Sequence, residues 1–569
     1  MSELLLHPAM AYVVGIILLY ALPGRLRAVA LLGAPIAAMF LLERLDGASE
    51  AAGAVTLSFL GETLQPIRAD ALGMAFARIF AIAGGLALLY GLRERNRLTH
   101  AAGMLTVAAG LTVVLAGDLL TLFIAWEVKA VATTVIIFTG GMSASVRAAQ
   151  RYFIVHTLGG GVLLLGVVSW AATHGLAFEA MELDGASVWI LLGFGLCAAI
   201  PPLHAWLTDA YPEASPFGTV LLSAFTTKAA VYAMVRGFPG VDILMWIGAI
   251  MAIYGAALAV IENDIRRLFA YHIVSQVGFM ICGVGMGLVG DTYGELALDG
   301  STAHAISHIL YKGLLFMSAG AVIYATGRRK MTELGGLWRH MPLTLVLCLV
   351  GAFSISGVPP WNGFVSKAMV VSAAEYTGQG AIEWMLVAAS VGTFLCTSLK
   401  LPWFVFFGEA RGAPPERKLP WNMTAAMVIA ALLCTIMGIA PSLLYTHLPY
   451  ASDYEPYTVA HVVQQLQLLI GVALGFFLLL PKLGVKRVVT QEANALYRVL
   501  GRGVIALSHR VVIPAMNAAA ELVRQTTGRL PELSVRVRTL TRTPVGVWVM
   551  VSVAALALLV FTLQFGGVG

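Results

Sequence analysis

Charge is scarce in this chain: of 569 residues only 12% are Asp, Glu, Lys or Arg, while 59% are hydrophobic. A mean hydropathy of +0.84 excludes an ordinary soluble domain and points to a polytopic membrane protein. Cysteine is scarce too. Cys197, Cys282, Cys348, Cys396 and Cys434 are scattered through apolar runs without paired metal-ligand spacing, which argues against a disulfide framework or an iron-sulfur site. No Walker A loop, no GxGxxG after a strand and no HExxH occurs, so nucleotide-binding and zinc-hydrolase readings lose their usual support. The net charge of +6 does not indicate nucleic acid, because Lys and Arg form short clusters between apolar runs, as topology signals do.

What the sequence has is a series of apolar runs long enough to cross a bilayer. They fall near 4–22, 27–42, 72–92, 99–116, 119–139, 152–172, 187–208, 217–236, 242–261, 267–289, 302–325, 341–357, 382–407, 423–445, 460–481 and 545–565. The expected fold is therefore all-α, with about 16 transmembrane helices. The first run lacks a basic leader region and a small-residue cleavage site, so it reads as a retained span. The links "GRLR", "RERNR", "SASVRAAQR", "NDIRR", "GRRK" and "KLGVKR" alternate with acidic or neutral ones, which predicts a cytoplasmic basic side and an external N-terminus.

Two spans are interrupted, one by Pro201 and Pro202, the other by Pro402 just after Lys400. Broken helices at corresponding places in two halves point to inverted repeats around an ion path. The organisation expected is N-terminal helices over 1–98, a first repeat over 99–236, a second over 242–445, an additional span over 446–481, a basic segment over 482–544 and a final anchor over 545–569. The basic segment has 11 basic and 3 acidic residues between Lys482 and Arg542. It reads either as an amphipathic lateral helix lying at the interface or as a positive loop that fixes topology.

Several charges lie inside apolar runs. Glu127, Lys228 and Lys400 are three, and "STAHAISHILYKGLLF" adds His304, His308 and Lys312. Four residues advance a helix by about 400° and about 6 Å, so these last three form one ladder. A charge at mid-membrane costs from about 2.5 kcal/mol upward on an insertion scale. Burial disfavours the charged form of a lysine and a nearby carboxylate favours it, while histidine needs little tuning. A string of Glu, Lys and His at this depth is what a proton relay requires; the plainer reading is a set of static helix-to-helix bonds. Arg78, near a helix end, fits snorkelling. Lys129 is about 200° around the helix from Glu127, and its role stays open. A metal at His304 and His308 lacks a third ligand nearby, and no metal or cofactor is expected.

These segments resemble the antiporter-like subunit family: the D-type subunit of Mrp sodium/proton antiporters and its relatives in respiratory complex I and membrane-bound hydrogenases. The carrying residues are Trp126–Glu127, "PPLHAWLTDAYPEASP" from 201, "TTKAAVYAMVRGF" around Lys228, "NDIRRLFAYHIVSQVGFM" from 263, "HAISHILYKGLLF" from 304, "SISGVPPWNGFVSK" from 354 and "LKLPWFVFFGE" from 399. The resemblance implies two inverted five-helix repeats and a proton relay through Glu127, Lys228, His304, His308, Lys312 and Lys400. It implies a subunit of a multi-subunit cation/proton antiporter in the cell (inner) membrane, partnered by other membrane subunits and exchanging protons for a monovalent cation such as sodium. The alternatives are a proton-pumping subunit of a redox-driven complex, which would make it part of a translocating enzyme, and a scaffold subunit of an inorganic-carbon uptake complex. In one place the chain departs from the family: where a lysine commonly precedes the first broken helix, Cys197 stands, and a buried neutral thiol cannot pair with Glu127.

Overall fold

The computed structural model describes residues 6–46, 54–59, 62–450 and 452–482, with the isolated positions 510 and 514. The expected lateral segment and the 545–565 anchor lie outside the described residues.

Helices dominate. In chain order they are α1 (Ala9–Ala21), α2 (Arg27–Asp46), α3 (Ala71–Tyr90), α4 (Arg97–Leu115), α5 (Leu119–Phe138), α6 (Ser143–His174), α7 (Ser187–Cys197), α8 (Ala205–Ala210) and α9 (Pro216–Gly237). There follow α10 (Asp242–Ile261), α11 (Ile265–Met286), α12 (Thr292–Thr326), α13 (Pro342–Ile355), α14 (Asn362–Tyr376), α15 (Gly380–Phe394), α16 (Trp421–Ile439), α17 (Ser442–Tyr445) and α18 (Val459–Leu479). Among the described residues 12 helices are long and apolar enough to span a membrane, and α1, α7 and α13 are shorter apolar ones.

The helices start where a short polar side chain can serve the orphan N–H groups of a first turn. Asp70 caps α3 through Gly73 N at 2.8 Å, Ser215 caps α9 through Gly218 N at 3.0 Å, and Asp291 caps α12 through Gly294 N at 2.8 Å. Gly327, in the left-handed region at φ 70°, ends α12 and opens the "GRRK" cluster.

An antiparallel hairpin, β1 (Ala54–Phe59) with β2 (Glu62–Arg68), was not expected from the sequence. It docks on the α4–α5 turn through Gly117 N to Gln65 O at 2.8 Å and Gln65 N to Asp118 Oδ2 at 2.8 Å. Its position defines a hairpin end of the bundle. At the opposite, basic end, Arg329 pairs with Glu213 at 2.9 Å and Asp264 at 2.7 Å. At the hairpin end Arg236 holds Asp70 through two bonds of 2.6 and 2.7 Å.

Two sets of five crossings follow one another, α4, α5, α6, α7–α8, α9 and α10, α11, α12, α13–α14, α15, each with its fourth member broken. The first set begins at the basic end and the second at the hairpin end, so they run inverted. A shared detail marks the correspondence. Asp118 caps α5 through Thr121 N and bridges to Ala177 beyond α6; Asp264 caps α11 through Arg266 N and bridges to Lys330 beyond α12. The same two backbone bonds form each bridge: Leu119 N to Leu176 O and Phe178 N to Gly117 O in the first, Ile265 N to Arg329 O and Met331 N to Asn263 O in the second.

Small residues set how closely the helices approach. Gly248 of α10 lies against the backbone of α11 at Gly278 and Cys282, and Gly255 against Tyr271 and Ser275. In return Gly278 of α11 lies against α10 at Gly248 and Ala252, and Gly285 against Leu244 and Met245; a Cβ on Gly278 would lie 2.6 Å from Ala252 N. Nothing larger than hydrogen fits there.

The first break falls where Pro201 and Pro202 predict it, between α7 and α8. The second differs from expectation. Pro402 lies inside a continuous helical segment, Gly380–Phe407, in which Leu395–Lys400 and Trp403–Phe407 form π turns. Gly408 N bonds Trp403 O at 2.6 Å, so wider turns absorb the backbone groups that proline frees. The open break lies at 356–361, between α13 and α14, at Pro359 and Pro360. The run expected near 302–325 begins ten residues earlier, since α12 starts at Thr292.

Candidate proton path

The core of the site is the ladder on α12. His304, His308 and Lys312 are all fully buried, and three neighbouring helices supply what surrounds them. From α11, Gln276 Oε1 lies 3.2 Å from His304 Nε2. From α14, Ser366 Oγ lies 3.2 Å from His304 Nδ1. From α9, fully buried Lys228 donates to Thr227 Oγ1 at 3.0 Å and lies within coulombic reach of His304, His308 and Lys312. The His304 and His308 ring centroids are 6.4 Å apart, and the Tyr311 ring lies 5.2 Å from that of His308. Thus the structure brings together four of the six residues singled out in the sequence.

The polar atoms here are unevenly served. Neither ring nitrogen of His308, neither ring nitrogen of His272 and not the Lys312 Nζ has a hydrogen-bond partner among the described residues. Lys312 Nζ instead lies 5.2 Å from the Phe269 ring centroid. Buried polar groups are normally bonded, and exceptions mark strain, ordered water or function. A row of four basic side chains in apolar walls, with donors and acceptors left over, is chemically suited to hand protons between neighbours through intervening water.

Lys367 of α14 joins this group and was missed as a site residue in the sequence, although it ends the motif "SISGVPPWNGFVSK". The break supplies its partner. A helix end leaves carbonyls unsatisfied and carries partial negative charge, and Lys367 Nζ bonds Ile355 O, at the end of α13, at 2.9 Å. Ala352 O takes Ser398 Oγ at 2.8 Å and Ser356 O takes Gln465 Nε2 at 3.3 Å. Lys367 Nζ also lies 4.8 Å from the Phe279 ring centroid, and that ring is 5.8 Å from His304. A cavity of about 310 Å³ between α14, α15 and α18 has Lys367 in its wall, with Glu375, Glu383, His461 and Gln465. His272, inside the stretch "NDIRRLFAYHIVSQVGFM", is another buried basic residue not singled out from the sequence.

Lys400 lies apart, at the basic end. It is half-buried, and its Nζ bonds Val260 O at 2.6 Å and Glu262 O at 2.7 Å, where α10 ends.

In the first set Glu127 is half-buried on α5, with Oε1 lacking a partner and the carboxylate against Gly160 of α6. Lys129 faces the other way, as its angular offset requires. It is buried, its Nζ lies 3.9 Å from the Trp126 ring centroid, and it is within coulombic reach of Cys197, Glu127 and His156. Cys197 Sγ lies 3.4 Å from His156 Nδ1. So a lysine does reach the neighbourhood of residue 197, though from α5. Arg78 pairs with Glu43 at 3.2 Å and Asp46 at 2.6 Å at the hairpin end.

Comparison with known proteins gives one family model, described as NADH:quinone oxidoreductase/Mrp antiporter, transmembrane, which matches residues 116–396. The NADH-quinone oxidoreductase subunit N of Desulforudis audaxviator is 32% identical over 57% of this chain and 68% of its own length. Hydrogenase-4 component B of Escherichia coli is 30% identical over 56% of this chain and 53% of its own. The Na(+)/H(+) antiporter subunit A1 of Staphylococcus haemolyticus is 29% identical over 69% of this chain and 54% of its own. The chain thus spans about half the length of the last two. Among solved structures, a chain of the Mrp complex from Dietzia superposes with a TM-score of 0.69 at 23% identity, covering 81% of this chain and 99% of that one. A chain of an archaeal membrane-bound sulfane sulfur reductase gives 0.68 at 22%, covering 95% and 100%. At these identities the superpositions show a common fold.

Proposed function

We propose, from the premise that this chain belongs to the NADH:quinone oxidoreductase/Mrp antiporter family of membrane subunits, that it carries protons across the cell (inner) membrane as one subunit of a multi-subunit cation/proton antiporter. The single observation that supports this best is the buried row of Lys228, Lys312, His308 and His304, in which an ammonium and two ring nitrogens have no fixed protein partner. With the basic end in the cytoplasm, the path opens to the cytoplasm beside Lys400 and to the outside at the hairpin end. The outer leg runs through Lys367 and the cavity behind it. Glu127, with Lys129 beside it, is the acidic member of the first set, and a monovalent cation such as sodium is the counter-ion.

A second reading is favoured by the names of two relatives, a quinone oxidoreductase subunit and a hydrogenase component: the same path driven by a redox partner. Mass spectrometry of the intact complex decides between them. Small antiporter subunits support the first, and iron-sulfur or hydrogenase subunits the second.

The relay itself is tested in vesicles carrying the purified complex and an internal pH dye. Lys228→Met and His308→Gln each abolish coupled proton movement and leave assembly intact, because they remove the carrier and keep most of the buried side-chain volume. Near-normal flux in both variants overturns the relay.

A further inference from the structure

A second and larger cavity, of about 1090 Å³, opens at the basic end between the α1–α2 turn, the α3–α4 turn and the start of α16. Its rim carries Arg25, Arg27, Arg93, Arg95 and Arg97 against one carboxylate, Glu94. That carboxylate is engaged by its own turn, accepting from Arg95 N at 2.8 Å and Asn96 N at 3.1 Å. Arg27 Nε donates to Leu22 O at 3.3 Å. None of the five arginines pairs with a carboxylate among the described residues. Elsewhere in the bundle Arg68, Arg78, Arg151, Arg236 and Arg329 are paired, whereas Arg147, Arg339, Arg411 and Arg417 stand singly; the rim differs in gathering five unpaired arginines in one place. Positive topology signals need only lie on one side of the membrane; these converge on one enclosure.

The apolar lining that stays accessible is Leu92, Tyr324 and Trp421, over a floor of buried Leu19, Leu31 and Phe217, and Trp421 is exposed, as indole rings at the membrane interface are. One buried acceptor in this wall is unserved. The Asn422 amide donates through Nδ2 to Leu89 O at 3.1 Å and Tyr90 O at 2.8 Å, which leaves its Oδ1 without a partner.

We propose that this cavity binds an anionic glycerophospholipid. The phosphate lies among the arginines, a headgroup hydroxyl donates to Asn422 Oδ1, and the acyl chains lie along Leu92, Tyr324 and Trp421. Guanidinium groups recognise phosphate through paired N–H donors, and basic pockets between membrane helices suit such headgroups. A free phosphate has the same charge chemistry but no use for the apolar wall. The chain's own segment after Lys482 is strongly basic, so its charge opposes entry.

The test is native mass spectrometry of the full chain in neutral detergent, titrated with phosphatidylglycerol. The wild type is expected to keep one tightly held lipid. Arg93→Gln with Arg95→Gln, at exposed positions that carry no packing, weakens retention by about fivefold for each charge removed. Arg147→Gln, an exposed arginine away from the cavity, leaves it unchanged. In phosphatidylcholine vesicles, added phosphatidylglycerol raises the melting midpoint of the wild type and not of the double variant. Three results overturn the proposal: retention unaffected in the double variant, an equal loss in Arg147→Gln, which would mean general surface attraction, or displacement of the lipid by inorganic phosphate.

Discussion

Gly160→Ala is a one-methyl perturbation that reports on Glu127. The Cβ it adds would fall on the Glu127 carboxylate, closer than any real contact, so the carboxylate must retreat by about 1 Å. A displacement of that size at a reacting group costs about 10²-fold in rate. Gly161→Ala, one position on, meets nothing within 4 Å and serves as the matched control. Both changes favour the helix by about 1 kcal/mol, so neither should harm folding. Proton flux in reconstituted vesicles is expected to fall about 10²-fold in Gly160→Ala and to stay near wild type in Gly161→Ala. Adding Glu127→Asp to Gly160→Ala withdraws the carboxylate by one methylene, about 1.5 Å, and should restore part of the flux. Equal activity in the two alanine variants would refute the claim that Glu127 carries protons. A loss in Gly160→Ala that Glu127→Asp fails to relieve would refute the steric account.

Lys367→Met should cut flux by about 10²-fold, the usual contribution of a positioned proton carrier. Lys400→Arg should keep most of it, since a guanidinium can also serve the two carbonyls at the end of α10; the reverse outcome in the same assay would exchange their roles. Asp70→Asn leaves the nearly buried Arg236 without its counter-charge and should cost about 3 kcal/mol at neutral pH, read as a lower melting midpoint in detergent. Burial pushes the Asp70 carboxyl up, but the bonds and charge of Arg236 outweigh it and hold the group below the usual carboxylate range. Its stabilisation is therefore complete above about pH 4 and is lost as pH falls through the lowered folded value. The two melting curves should converge in acid, and a gap that persists there contradicts the pairing.

Hydropathy alone located nearly all the crossings, because a lipid-facing helix must be apolar along its length. It missed α14, where Asn362, Ser366 and Lys367 interrupt the run: these residues face other helices, and hydropathy cannot tell a polar residue that lines a protein interior from one in a loop. The ladder on α12 was legible because spacing by four fixes a shared face. Lys129 was legible only in part, since helix geometry sets its angle to Glu127 and tertiary packing decides which of the two looks inward. Pro402 misled for a related reason. A proline removes a donor wherever it stands, but whether the helix opens or widens into π turns depends on the neighbours that satisfy the freed groups.

The bridges at Asp118 and Asp264 have a mechanical consequence. The α11–α12 pair is joined by a short turn at the hairpin end, and at the basic end by two backbone hydrogen bonds with the Asp264–Arg329 ion pair beside them. It is a closed ring, and α5–α6 is another, sealed at the opposite surface. Neither partner can slide along the other without opening its seal, so a stroke of α12 past α11 must break two backbone hydrogen bonds and an ion pair. With the seals closed, α11 and α12 keep their depth relative to each other, as do α5 and α6.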